Sequence, residues 1–218
     1  MTKKQNKILS ASFDNSYQQL DIYNNWIDYT KEIIVEENWV GHSKTAAYVI
    51  THFDSDVTIA DIGCGTGVTG AILMLSGYKN IDGYDIVDKY INHSKIFYKN
   101  VEYCDILESS LPRKYDIILA SGIFNYSCLS SKPAKHVYNS LNENGLFVMI
   151  NPAIYKNPKL AKKVKDTDYL RYSGWKDQEY FEFIETIGPY KSRMSQGEQF
   201  FHETNILKPI NLKKIIDR

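Results

Sequence analysis

The stretch that decides the fold is residues 57–67, Val57-Thr58-Ile59-Ala60-Asp61-Ile62-Gly63-Cys64-Gly65-Thr66-Gly67. It begins as a short apolar strand pattern, ends on an acid and continues into three alternating glycines. The apolar residues 68–75 then predict a helix. A strand that breaks into glycines before a helix exposes unpaired backbone N–H groups and a partial positive charge at one point. This predicts a site for an anionic or carboxylate-bearing ligand.

Length and composition predict one α/β domain of ordinary character. The chain has 218 residues, of which 43% are hydrophobic and 24% are charged, so it suffices for one substantial core. Its 26 basic residues balance its 26 acidic residues. Because no global field then attracts polyanions, we expect no nucleic-acid partner and no membrane surface. The expected partner is a small molecule, and the protein is expected to be a monomer or homodimer.

Cysteine usage and hydropathy indicate a cytoplasmic protein. Cys64, Cys104 and Cys128 are an odd number and lack the spacing of a metal site. Reduced thiols of this kind are typical of the cytosol. No segment approaches the roughly 18 apolar residues that a spanning helix needs. The basic residues near Met1 have no apolar segment behind them, so no secretory signal is predicted.

The first 54 residues are expected to form a helical cap. A helix is predicted over residues 14–37, because apolar residues recur at three- and four-residue steps. These residues are Leu20, Tyr23, Ile27, Thr30 and Ile34, with an aromatic edge from Tyr23, Trp26 and Tyr29. The helix either packs on the domain as an ordinary amphipathic helix or covers a ligand as a lid. A second helix is predicted up to Phe53.

Residues 55–218 alternate strand and helix patterns. Strands are predicted over residues 57–62, 80–85, 101–105, 115–120 and 145–150. Such alternation predicts a doubly wound, mostly parallel sheet with helices on both faces, which binds ligands at the carboxyl ends of its strands. After an insertion at about 152–176 over that rim, we expect a helix near residues 180–187. Two runs, 190–196 and 199–207, are separated by Gly197 and predict an antiparallel hairpin.

The acids at the ends of the first three strands match the groups of a nucleoside. Asp85 lies about 18 residues beyond Gly67, at the position where an acid accepts both ribose hydroxyls. Asp105 can accept a hydrogen bond from an exocyclic adenine amine. Asp61 is expected either to approach a ligand cation or to hold the glycine loop by accepting backbone donors.

Two nucleotide ligands compete for this loop. Residues 65–70 match G-x-G-x-x-G, which on its own favours a dinucleotide and an NAD(P)-binding oxidoreductase. However, Asp61 at the mouth of the loop would repel a pyrophosphate. No second nucleotide-binding half or substrate domain follows, which also disfavours that reading.

At four of these strands the residues resemble class I S-adenosylmethionine-dependent methyltransferases. Residues 61–67 resemble the first motif of that family, and residues 83–86, 104–106 and 115–122 resemble its second, third and fourth. The combination at the expected intervals is specific, and the resemblance covers about residues 20–207. The sequence looks closest to the small methyltransferases, including the Williams–Beuren-region-like group.

The resemblance implies S-adenosylmethionine as cofactor, S-adenosylhomocysteine as product and a set of binding residues. Gly63 and Gly65 would let the backbone approach the methionine portion, Asp85 would hold the ribose, and Asp105 with the Ile106 N–H would hold the adenine. Ser121 would lie near the ammonium group. The full expected set is Tyr23, Trp26, Asp61, Gly63, Cys64, Gly65, Gly67, Asp85, Ile86, Asp105, Ile106 and Ser121.

The expected reaction is in-line methyl transfer to an O or N atom of a small molecule. Positioning of the two reactants is the main contribution that a protein makes to such a step. Residues 121–124 lack the Pro-Pro-aromatic run found in amino-methylating members of the family. A general base is uncertain from sequence; the candidates are Asn125, Tyr126 and His202. A non-catalytic S-adenosylmethionine-binding interaction module is the remaining alternative.

Overall fold

Seven strands form one mixed sheet in the computed structural model, which describes residues 15–124, 131–156, 180–195 and 197–210. The strands are β1 (Ile59–Ile62), β2 (Ile81–Asp85), β3 (Asn100–Tyr103), β4 (Tyr115–Ala120), β5 (Leu141–Pro152), β6 (Phe181–Ser195) and β7 (Glu198–Pro209). The order is β3-β2-β1-β4-β5-β7-β6. The first five are parallel, whereas β7 pairs antiparallel with both β5 and β6. The predicted doubly wound sheet with a terminal hairpin is confirmed.

Helices precede the first strand and also lie between several of the parallel strands. They are α1 (Ser16–Asn24), α2 (Gly41–His52), α3 (Val68–Leu75), α4 (Asp88–Ser94) and α5 (Ala134–Asn139), with a π-helix at Lys31–Glu36 and a 3₁₀ turn at Ile154–Lys156. The predicted helix end after residue 75 is confirmed, since Gly77 has a φ of 96°. That left-handed conformation is the usual terminator of a helix, and glycine adopts it without steric cost.

Hydrophobic cores cover both faces of the sheet, because successive residues of a buried parallel strand point to opposite sides. Ile117 and Ile118, neighbours on β4, are both fully buried and belong to different cores. One core contains Ala134 and Val137 of α5. The other contains Ala46 and Val49 of α2 together with Leu73 of α3. The continuous apolar runs in the sequence therefore mark strands buried on both faces.

The N-terminal cap is broken where the sequence predicts a continuous helix. Helix α1 ends at Asn24, and the Asn25 side chain donates to the Asp21 backbone oxygen at 2.8 Å. The chain then turns Trp26 inward, with 2% of its surface exposed, and leaves Ile27 87% exposed. Burial of a large indole in a small separate cluster with Ile33 outweighs the regular helical pattern.

The helix predicted near residues 180–187 is wrong, because this segment is the first half of β6. Its partner is β7, and the register joins Phe181 to Pro209 and Phe183 to Leu207. Leu207 is fully buried. Pairing with a buried strand satisfies the backbone and decides the conformation over local apolar spacing.

A chain of buried side-chain amides ties the hairpin to the tip of β4. Thr186 Oγ1 donates to Asn205 Oδ1 at 2.7 Å, and Asn205 Nδ2 donates to Asn151 Oδ1 at 3.1 Å. Asn151 Nδ2 then donates to the Phe124 carbonyl oxygen at 3.2 Å. Asn151 and Asn205 are 4% and 0% exposed, so these bonds are shielded from water.

Parts of the expected organisation lie outside the described residues. Most of the predicted insertion at about 152–176 does so, as do Cys128 and the candidate catalytic residues Asn125 and Tyr126. Cys64 and Cys104 are free thiols. Among the helices that are described, none combines the length and the apolar character required to cross a membrane.

Candidate functional site

A pocket lies across the carboxyl ends of β3, β2, β1 and β4, at the edge where the sequence predicted a ligand. It contains about 840 Å³ of empty space, part of it open to solvent. Eight of the twelve expected binding residues line it: Tyr23, Gly63, Gly65, Asp85, Ile86, Asp105, Ile106 and Ser121. Trp26, Asp61, Cys64 and Gly67 do not line it.

Asp85 is the last residue of β2, where it pairs with Tyr103, and it lines the pocket. Its Oδ2 accepts the Gly65 N–H at 2.8 Å, and its Oδ1 accepts the Val87 N–H at 2.9 Å. Burial raises the pKa of Asp85, and the backbone donors act against that rise. A carboxylate offers about four acceptor positions. The Ile86 N–H acts on the carboxylate as well, so beside its three backbone donors Asp85 retains an acceptor position for a ligand hydroxyl.

The glycine loop is shaped by contacts from behind and from the side. Gly63 has a φ of 66°, and a Cβ built on it would lie 2.1 Å from Ile123 Cγ2. Gly65 has a φ of 52° and open space at the same position, so its backbone can contact a ligand. Cys64 and Gly67, which were also expected to bind the cofactor, do not line the pocket. Cys64 is 2% exposed, and a Cβ on Gly67 would meet Phe97 at 2.7 Å.

Asp61 is buried beneath the loop, and its described hydrogen bond comes from a side chain. It is 1% exposed and accepts a hydrogen bond from the Tyr98 hydroxyl at 2.7 Å, not from loop N–H groups. Its Oδ1 makes no hydrogen bond within the described residues. Burial raises the pKa of Asp61 to about 7, although the Tyr98 hydrogen bond acts in the opposite direction. The carboxyl group is thus half protonated near neutrality.

The β3 end of the pocket consists of residues 104–106. Asp105 Oδ1 accepts the Leu107 N–H at 3.0 Å, which fixes the carboxylate at the start of a turn. Ile106 is buried, while Cys104 is partly exposed on the wall. An apolar side chain beside a fixed carboxylate suits a flat heterocycle that carries an amine.

The N-terminal segment closes one side of the pocket with tyrosines. Tyr23 and Tyr29 line the wall, and their rings lie 5.8 Å apart in an edge-to-face arrangement. Tyr29 also contacts Tyr90 at 5.7 Å. Trp26 is instead buried behind them, and its Nε1 donates to Glu32 Oε2 at 3.0 Å. Trp26, which was expected to contact a ligand, therefore does not line the pocket.

Two anchors hold this segment against the rest of the domain. Lys89 Nζ of α4 donates to the backbone oxygens of Asn24 and Trp26, both at 2.9 Å. Thr30 Oγ1 donates to Thr66 Oγ1 of the glycine loop at 2.8 Å. Because both anchors are polar and partly accessible, each contributes only about 1 kcal/mol. The segment is held in place by bonds that cost little to break.

The β4 end of the pocket is a cluster of hydroxyl groups with one imidazole. Ser121 Oγ lies 2.7 Å from Thr45 Oγ1 and 3.1 Å from Thr69 Oγ1. Thr69 Oγ1 lies 3.1 Å from His42 Nδ1. His42 and Ser121 line the pocket. Burial lowers the pKa of His42 to about 4, so the ring is neutral at physiological pH.

The expected catalytic candidate His202 is buried away from the pocket wall. It is 0% exposed, its Nδ1 lies 2.6 Å from Ser192 Oγ, and its ring packs edge to face on Trp39 at 4.7 Å. Burial, assisted by the charge of Arg193, lowers its pKa well below the usual value. His202 is therefore a structural core histidine.

Several wall residues had no predicted role: Ser16, Gln19, His42, Val87, Tyr90 and Cys104. His42 follows Gly41 in the first turn of α2, where the sequence indicates only a break between two helices. Its position depends on how α2 packs across the sheet, which no local pattern reveals. The sequence identifies Tyr90 as a residue on the apolar face of its helix, but it does not show that Tyr90 lines the pocket.

Comparison with known proteins agrees with this geometry. A family profile described as a methyltransferase domain matches residues 53–198. A ribosomal protein L11 methyltransferase from Staphylococcus haemolyticus is 26% identical over 128 residues, which cover 55% of this chain and 39% of that protein. A carboxy-S-adenosyl-L-methionine synthase from Campylobacter concisus is 28% identical over 134 residues, 54% of each chain. The chain thus matches about half or less of the length of these relatives.

A solved structure shows the same fold over nearly its whole length. The S-adenosylmethionine-dependent methyltransferase from Clostridium acetobutylicum superposes with a TM-score of 0.58. The superposition covers 89% of this chain and 99% of that one, at 15% sequence identity. At this identity the likeness concerns the fold alone.

Proposed function

Because this chain belongs to the family of methyltransferase domains that matches residues 53–198, we propose that it methylates an O or N atom of a small molecule with S-adenosylmethionine as donor. The position of Asp85 carries this proposal. A carboxylate with free lone pairs at the tip of β2, next to a glycine loop, fits a ribose with two hydroxyls. A dinucleotide gains no support from the relatives described above.

The pocket residues would divide the cofactor among the strand tips. Asp85 holds the ribose, Asp105 and Ile106 bind the adenine, and the backbone at Gly63 and Gly65 contacts the methionine portion. Tyr23 and Tyr29 cover the ligand from the N-terminal segment. The Asp61 side chain is buried beneath the loop and does not reach the pocket wall. It therefore acts on the ligand through its charge and not by contact. When bound, the cofactor supplies a methyl group on a positively charged sulfur.

Residues of the chain contribute position and the exclusion of water. The tyrosines and the partly buried Ile123 give the pocket apolar walls, against which the nucleophile and the methyl group are positioned. The balanced charge of 26 basic and 26 acidic residues favours a small acceptor. We keep residues 1–54 as the cap and 55–218 as the binding domain in this proposal.

Calorimetric titration with S-adenosylhomocysteine tests the cofactor assignment. The wild type should bind it and should not bind NAD. Asp85→Ala should weaken binding about a hundredfold, because two hydrogen bonds to a charged group are lost. Asp88→Ala, an exposed acid three residues away, should bind as the wild type does. Binding of NAD in place of S-adenosylhomocysteine, or an unaffected Asp85→Ala variant, would refute the assignment.

The acceptor class requires a separate measurement. Radiolabelled methyl transfer should be followed into a small-metabolite fraction, a ribosomal protein fraction and an RNA fraction of the same extract. We expect label in the small-metabolite fraction. Label in ribosomal protein would instead align the chain with the L11 methyltransferase to which it is similar.

A further inference from the structure

The hydroxyl cluster at the β4 tip has a fixed direction of hydrogen bonding. Thr45 Oγ1 lies 3.1 Å from the His42 carbonyl oxygen and 3.3 Å from that of Gly41. A carbonyl oxygen only accepts, so the single proton of Thr45 points to the backbone. Ser121 must then donate to Thr45, because Thr45 has no second proton.

The same reasoning continues to the imidazole. With its own proton directed at Thr45, Ser121 can only accept from Thr69. The 3.1 Å hydrogen bond between Ser121 and Thr69 needs a proton, and because the Ser121 proton is on Thr45, it is the single proton of Thr69. Thr69 Oγ1 can therefore only accept from His42 Nδ1. His42 therefore carries its proton on Nδ1, and Nε2 carries a lone pair.

The His42 ring, whose Nε2 carries the lone pair, lines the pocket. Nδ1 is engaged by Thr69, and Nε2 has no hydrogen-bond partner among the residues that the structure describes. The neutral ring is stable in this form because burial lowers the pKa of His42 to about 4. His42 Nε2 is thus a hydrogen-bond acceptor, held by a chain of four side chains that reaches back to α2.

The order of strands places His42 at the end of the pocket where the reaction occurs. In the sheet order β3-β2-β1-β4, the adenine, ribose and methionine sites of the proposed function follow one another along the tips. The next tip is that of β4, which carries Ser121 and lies beside His42. The group that reacts with the methyl carbon must occupy this end.

We propose that His42 accepts the proton of the methyl acceptor, which is a neutral alcohol or phenol; this rests on the proposed function. A lone pair of the hydroxyl oxygen forms the new C–O bond while the C–S bond breaks and its electrons return to sulfur. The hydroxyl proton moves to His42 Nε2, which becomes an imidazolium and later releases the proton to water. The products are the methyl ether and S-adenosylhomocysteine.

The electrostatics of this end favour a neutral hydroxyl over an ammonium. The carboxylates on the described pocket wall, Asp85 and Asp105, belong to the tips of β2 and β3. The β4 end offers hydroxyl groups and a neutral ring instead. A protonated ether is a far stronger acid than any imidazolium, so even a weakly basic imidazole takes its proton.

Sinefungin provides a test that needs no acceptor, because an amine-bearing carbon replaces the methylated sulfur of the cofactor in this analogue. Its amine should donate to His42 Nε2. In calorimetric titrations the wild type should bind sinefungin about tenfold more tightly than S-adenosylhomocysteine. In His42→Ala this preference should vanish, with S-adenosylhomocysteine affinity kept within about twofold. His52→Ala, at the other end of α2, should retain both values.

Each result separates the two proposals. A preference retained in His42→Ala, or absent from the wild type, overturns the role of His42 and leaves the cofactor assignment intact. Failure of the wild type to bind S-adenosylhomocysteine refutes the proposed function itself.

Nitrogen-15 NMR of the wild-type complex with S-adenosylhomocysteine gives a second measurement that does not depend on a variant. The His42 Nδ1 should resonate as a protonated nitrogen and Nε2 as an unprotonated one. The reverse assignment, or a doubly protonated ring at neutral pH, would overturn the proposal.

Discussion

The two halves of the pocket are built by different means. At the tips of β1, β2 and β3 the wall consists of strand-end carboxyl groups and the backbone that follows them, and the bonds of Asp85 to Val87 and of Asp105 to Leu107 span two residues. At the tip of β4 the wall depends on side chains from distant segments. Thr45 and Ser121 are 76 residues apart, and Thr69 and Ser121 are 52 apart.

This difference separates binding of a common ligand from recognition of a particular one. Local bonds are re-formed wherever the strand, loop and helix recur, so the first half is a property of the fold. Long-range hydroxyl and aromatic contacts are a property of this chain. We therefore expect substitutions in the first half to alter stability and cofactor binding. Substitutions in the N-terminal segment should alter the access of ligands to the pocket.

The largest effect that we expect is a pH dependence of the free energy of unfolding, caused by Asp61 in the first half of the pocket. Its pKa of about 7 in the folded protein exceeds the usual 3.8, because burial disfavours the charge. The folded state then binds the proton more tightly than the unfolded chain, so this contribution to stability is present at low pH and lost as the pH rises to 7. Asn at this position does not titrate.

Urea unfolding of the wild type and of Asp61→Asn between pH 4 and 8 measures this contribution. The free energy of unfolding of the wild type, relative to the variant, should fall by up to about 4 kcal/mol over that range. The opposite slope from His42 is present in both proteins and cancels in the difference. A difference independent of pH would show that Asp61 is ionised throughout and that burial does not dominate.

A smaller effect tests the contact that joins the two halves, between the glycine loop and Ile123. Gly63→Ala should reduce the free energy of unfolding by about 2–4 kcal/mol, since it adds backbone strain to an overlap with Ile123. Gly65→Ala carries similar strain but meets open space, so it should cost only about 1 kcal/mol. Equal losses in urea unfolding would mean that the loop moves away from Ile123 freely.

The smallest effect concerns the N-terminal segment. Lys89→Met removes the donor to two backbone oxygens of residues 24 and 26, and should cost about 1 kcal/mol of local stability. Hydrogen exchange of residues 16–36 should become faster, with the rate in β4 unchanged. Lys95→Met is the matched control, because the bond that Lys95 makes within the described residues is to the Asn92 side chain of its own helical region, at 3.0 Å. Unchanged exchange would show that the Lys89 bonds do not hold the segment.

The contrast between the halves also explains what the sequence could predict. The spacing of apolar residues and the order of elements along the chain predict the strands and the glycine loop. The rule that ligands bind at strand tips then predicts the pocket positions of Asp85, Asp105 and Ser121. The burial of Asp61 could not be predicted in this way, because it depends on a hydrogen bond from Tyr98, which is 37 residues away in the chain. The same limit applies to Trp26, which lies behind the wall and not on it.

His42 shows the limit most clearly. A histidine after a glycine at a helix start has no pattern that distinguishes a wall residue from a surface residue. His202, which was one candidate for a general base, occupies the core because β7 lies between two strands of the sheet. The terminal hairpin was predictable, but which side chain of the last strand faces the pocket was not.

The amide chain from Thr186 to Phe124 has a consequence for the order in which the molecule matures. Phe124 at the β4 tip is held by Asn151, and Asn151 by Asn205, which lies 54 residues later. Ribosomal synthesis releases β7 after the five parallel strands, and contacts over such separations form late. A growing chain would therefore complete its cofactor half first and fix its acceptor half only when β7 has paired.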